Sequence, residues 1–131
     1  MTLEEIEWNT EDQGRGADCH IVSPFDGQPT GIIFRICGPD SLAAQRAQLL
    51  FNDERVEAAE GSTGRVSAAE FESLYIRHLA RLVVDLTAEE TAGKRLALST
   101  ENLTKLLRVP WLRAQVDEFA GNRANFAPGG R

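Results

Sequence analysis

The chain has 131 residues, 42% of them hydrophobic, and a formal net charge of −6. That length suits a single domain, and the apolar content is enough for a core that folds without staples. The acidic balance argues against binding a nucleic-acid backbone, which calls for a basic face, and no run approaches the ~18 apolar residues of a membrane span.

Residues 1–16 are polar and acidic, with Leu3, Ile6 and Trp8 as their only large apolar side chains besides Met1. They read as a flexible N-terminal arm. The opening MTLEEIEW lacks the apolar stretch of a signal peptide. A cytosolic protein with Cys19 and Cys37 as reduced thiols is therefore expected.

Residues 17–38 read as a β-hairpin. Cys19, Ile21, Ile32, Phe34 and Ile36 alternate with other residues, as one buried strand face requires. Between the two runs lies SPFDGQPTG, whose prolines, glycines and Asp-Gly pair are turn chemistry. A loop centred near Gln28 sets Cys19 against Cys37, but it also sets Ile21 against Arg35, so the register stays open. Neighbours in a strand point to opposite faces, so Cys19 and His20 do not converge on a site.

Gly38-Pro39-Asp40-Ser41 ends the strand and starts a helix over residues 40–59. Leu42, Leu49 and Val56 recur every seven residues and are expected to face the core, although Arg46 lies on the same side. Ser67-Ala68-Ala69-Glu70 is a capping-box pattern. It opens a helix over residues 67–87 whose stripe runs through Phe71, Leu74, Tyr75, His78, Leu79, Leu82, Val83 and Leu86. His78 within that stripe reads as a packed histidine, since no partner for acid–base work is in view. TAEETAGKR, residues 87–95, reads as a helix end and loop.

Ser99 is a second N-cap, for a helix over residues 100–108. Pro110 ends that helix and begins another over residues 110–121, with Leu112, Val116, Phe119 and Ala120 as its apolar stripe. Residues 127–131 read as a disordered tail. The expected class is α+β, an N-terminal hairpin followed by about four packed amphipathic helices in one domain over residues 17–126. The histidines and cysteines do not form the set of three or four ligands that a zinc site needs. The paired glutamates sit in helix starts and polar loops, and GPDS lacks the lysine of a phosphate loop. No catalytic, metal or cofactor site is expected. Trp111, Phe119 and Phe126 either close the core or offer aromatic anchors to another chain.

Two stretches carry a family resemblance. They are DGQPTGIIFRICGPDSLAAQR, residues 26–46, and LSTENLTKLLRVPWLRAQVDEFAGNRANF, residues 98–126. Together they resemble the tail assembly chaperones of long, non-contractile-tailed bacteriophages and related prophage elements. Those proteins share a β segment running into a Gly-x-Asp-Ser-like helix start. Their common ending is matched here by Ser99, Glu101, Asn102, Leu106, Leu107, Pro110, Trp111, Leu112, Arg113, Gln115, Val116, Asn125 and Phe126. The run Leu82-Val83-Val84-Asp85-Leu86 departs from relatives that carry a tryptophan after the Leu-Val pair.

The resemblance implies a non-enzymatic protein of the host cytoplasm. It would bind the tape measure protein, keep it soluble, and be displaced by the tail tube protein as the tube polymerises. It implies no cofactor, no nucleic acid and no membrane, and leaves a homo-oligomer open. Trp111, Arg113, Phe119, Asn125 and Phe126 are then the candidate partner-binding residues. The competing expectation is a structural tail-completion or head–tail connector component of the virion.

Overall fold

The structure, a computed structural model, describes residues 1–128. The fold is α+β. Strands β1 (Ala17–Val22) and β2 (Pro29–Ile36) form the expected hairpin. Its register sets Cys19 against Phe34 and Ala17 against Ile36. Cys37 lies beyond the end of β2, so the two cysteines are not cross-strand neighbours; both are buried and free. Cys19, Ile21, Phe34 and Ile36 are buried as the alternation requires, while Ile32 is only partly covered.

A third strand, β3 (Val83–Thr87), pairs antiparallel with the other edge of β2, giving the order β1-β2-β3. Cys19, Phe34 and Leu86 form one buried row across the sheet. Asp18, Arg35 and Asp85 form the neighbouring row, with Arg35 paired to Asp18 at 3.3 Å. This strand corrects the helix expected over residues 67–87, since helix α3 spans Ala68–Leu82 and stops there. Val83 and Val84 are stiff at χ1 and suit a pleated strand. The free edge of β2 supplies the backbone partners, and Cys37 N–H donates to the Leu82 carbonyl at 2.9 Å where the chain changes direction. A short hairpin of β4 (Glu89–Thr91) and β5 (Lys94–Arg95) replaces the loop expected next. Gly93, at φ 79°, makes its turn.

The expected flexible arm is also corrected. Residues Leu3–Asp12 form helix α1, and a 3-10 turn over Gln13–Arg15 follows it. The reason is local: Thr2 Oγ1 accepts from Glu5 N–H at 3.1 Å, and Glu5 returns a bond to Thr2 N–H at 3.0 Å. That is a capping box, legible in Thr2-Leu3-Glu4-Glu5. Gln13 then anchors the segment. Its side-chain oxygen accepts from Asp40 N–H at 2.8 Å. Gly38 leaves room for it, since a Cβ there would stand 2.3 Å from that oxygen.

Helix α2 (Leu42–Glu60) is capped by Ser41, whose buried hydroxyl accepts from Ala44 N–H. Its orientation is the reverse of the one expected. Ala44, Ala47 and Phe51 face inward, and Leu42, Leu49 and Val56 face solvent. At 3.6 residues per turn Leu49 and Phe51 lie about 160° apart around the helix. Small alanines let α2 approach α3 closely, and Phe51 sits edge-on to Phe71 and Tyr75 with centroids 5.7 Å away. Glu54 closes the pair of helices by accepting from Arg77 and from Arg81, the latter at 2.7 Å.

Helix α4 (Thr100–Leu107) is capped by Ser99, and helix α5 (Pro110–Gly121) starts at Pro110, both as expected. A 3-10 turn over Arg123–Phe126 ends the fold. Residues Ala127 and Pro128 are exposed, and the rest of the tail expected over 127–131 lies outside the described residues. Leu79, Leu107, Leu112, Val116 and Phe126 complete the core around the sheet row.

Candidate protein-binding surface

The five candidate residues lie on α5 and the turn after it; Phe126 is buried, and Trp111, Arg113, Phe119 and Asn125 are partly buried. Phe126 is 0% exposed and meets Phe119 edge-on at 5.6 Å. Asn125 Nδ2 donates to the Phe119 carbonyl at 3.0 Å, closing the turn that seats Phe126. Arg113 donates to the Leu107 carbonyl at 3.0 Å, so it satisfies the end of α4, and pairs with Glu72 of α3 at 3.1 Å. Trp111 is partly buried against the core. Gln115, also part of the ending, brackets Val22, accepting from its N–H and donating to its carbonyl at 2.9 Å each. The ending is thus a lock that fastens α5 to α4, α3 and β1.

Groups able to do chemistry are dispersed. Burial pushes the Cys19 thiol up to about 11 and raises Cys37 as well, so neither is a ready thiolate. His20 is exposed, on the other face of β1 from Cys19. His78 is 7% exposed and packs on Phe51 at 5.1 Å. Desolvation lowers its pKa, opposed by a backbone hydrogen bond with Ala47, and its Nδ1 has no partner. It lines a groove of about 480 Å³ between α2, α3 and α5. There the Tyr75 hydroxyl donates to Asp117, and burial first, then Asp117, raises the Tyr75 pKa. Among the described residues, no group of three or more His, Cys, Asp or Glu is arranged to hold a metal ion.

Exposed apolar side chains gather on α1 and on the outer side of α2. No residue of α1 is buried; Leu3, Ile6 and Trp8 are exposed, Trp8 by 54%. Leu42, Leu49, Leu50 and Val56 project from α2, Leu49 by 65%. A cleft of about 1090 Å³ separates α1 from the start of α2, with Met1, Ile6, Trp8 and Pro128 among its apolar lining. This surface escaped the sequence reading, although one signal pointed to it. Arg46 shares a side with Leu42 and Leu49, and a charge amid a single-file heptad marks a face turned to solvent or a partner.

Comparison of the chain with protein-family models, curated proteins and solved structures finds no match. Among the described residues, no helix is long and apolar enough to cross a membrane.

Proposed function

We propose that this chain is a tail assembly chaperone of the kind used by long, non-contractile-tailed bacteriophages and related prophages. It acts in the host cytoplasm without catalysis. It binds the tape measure protein and keeps it soluble until tail tube protein displaces it. The observation that carries this reading is the set of exposed apolar side chains on α1 and on the outer side of α2.

A long helical client exposes apolar stripes that aggregate unless covered. The outward row of Leu42, Leu49 and Val56 has the seven-residue spacing that suits packing along another helix. The charge of −6 keeps the complex dispersed. The family-like ending supports the reading differently from the way its aromatic residues suggest: it builds the scaffold that leaves the α1–α2 face free.

Co-expression with the tape measure protein of the same phage or prophage tests the proposal. A soluble complex is expected, lost on Leu49→Asp with Val56→Asp. An insoluble client beside a folded chain contradicts it. The same exposed faces would also serve a permanent neighbour in a tail-completion or connector role. Finding the chain in purified virions by mass spectrometry would favour that second reading.

A further inference from the structure

We propose that the cleft between α1 and the start of α2 docks a cationic amphipathic helix. This rests on reading the chain as a protein-binding module, and it names the chemistry of the segment bound.

Three observations carry it. The first is the way α1 is mounted. Its ties to the body are polar and gather at its C-terminal end. Asn9 Nδ2 donates to the Phe126 carbonyl at 3.1 Å, and Gln13 joins Asn9 to Asp40. No apolar residue of α1 is buried, so the helix stands as one wall of an open apolar cleft. The second is size. A cleft of about 1090 Å³ is large enough for several side chains of a helix, whose anchors would meet Met1, Ile6, Trp8 and Pro128.

The third is charge. Residues 1–12 hold five carboxylates and no lysine or arginine, so the remaining 119 residues together carry only −1. The acidity of the protein is therefore concentrated on this helix, and Glu4 and Glu5 line the cleft. Asp40, the other carboxylate of the lining, is already engaged by Arg123 at 2.8 Å. An apolar floor with a carboxylate rim complements a helix that alternates apolar anchors with lysine or arginine. A second copy of this chain is a poor occupant in a twofold contact, because it presents the Glu4 and Glu5 carboxylates of the lining to themselves.

Trp8 reports the cleft directly. In a Trp111→Phe background it is the only tryptophan. Its fluorescence is titrated with a synthetic amphipathic helix of leucine and lysine, and with the leucine–glutamate counterpart. A saturable blue shift with the first peptide and none with the second is expected. Glu4→Gln with Glu5→Gln should weaken binding about tenfold at low salt. Glutamine can still serve the capping box, and unchanged helicity by circular dichroism verifies that α1 persists. Equal response to both peptides, or to neither, overturns the proposal. So does a Trp8 shift that grows with protein concentration alone, which would make a second copy the occupant. The tape measure co-expression is a separate readout: a soluble complex with an inert cleft would remove this site and leave the chaperone reading standing on the outer face of α2.

Discussion

The C-terminal ending and the N-terminal pair α1 and α2 are both helical, yet the first is fastened down by polar anchors and the second carries exposed apolar side chains. The difference lies in polar anchors. In the ending, Gln115 brackets Val22, Arg113 caps α4 and Asn125 closes the turn that buries Phe126. In α1 the anchors gather at one end, at Asn9 and Gln13, while Leu3, Ile6 and Trp8 are uncovered. An apolar stripe says that a face is to be covered. Hydrogen bonds fixing the backbone beside it say that this same chain does the covering.

The comparison breaks first at Phe126. Phe126→Ala should cost about 3–5 kcal/mol, through the cavity left in the core. It should also loosen α1, because the Phe126 carbonyl accepts from Asn9. Urea unfolding measures the first effect, and a loss below about 1 kcal/mol would place Phe126 outside the closed core. Gly16→Ala should cost more than about 1 kcal/mol. Its φ is 87°, and an added Cβ would meet the Ile36 carbonyl oxygen at 3.0 Å.

Acid sharpens the comparison, because His78 and Glu54 tie α2 and α3 together. His78 is held below its ordinary 6.5 by burial. Its unprotonated form is favoured by folding, so its contribution is full above pH 6.5 and declines as pH falls below that value. Glu54 is lowered to about 2, chiefly by its hydrogen bond with Arg81. Its contribution is present above 4.5 and is lost as pH falls from there toward 2. Stability measured by denaturant across pH 8 to 3 should fall in two stages. Glu54→Gln should shrink the lower stage, to which Asp40, held low chiefly by its hydrogen bond with Arg123, also contributes, and an unchanged lower stage would contradict the assignment. The smallest effect on stability belongs to the open face. Leu49→Asp and Val56→Asp should each shift it by no more than about 0.5 kcal/mol, while removing client binding. A large destabilisation would mean that this face is covered within the fold.

Much of the locked region was legible in the sequence. Alternation found the buried Cys19, Ile21, Phe34 and Ile36, and Ser67, Ser99 and Pro110 marked helix starts that the structure keeps. Strand β3 was not legible, because Val83 and Leu86 fit a helical stripe as well as a strand and the deciding partner, β2, is distant in sequence. The facing of α2 was misread because alanines carry little hydrophobic weight yet permit the closest helix contact. The cluster of Trp111, Arg113, Phe119, Asn125 and Phe126 was legible as a unit. The full burial of Phe126 was not, since that depends on packing and hydrogen bonds made across the fold.

Hydrogen exchange on the complex with the tape measure protein tests most directly where the client sits. Added protection is expected over residues 1–12 and 42–56, with residues 110–126 protected equally in the free and bound chain. Added protection over 110–126, with 1–12 and 42–56 unchanged, would contradict the assignment of the binding face to α1 and α2.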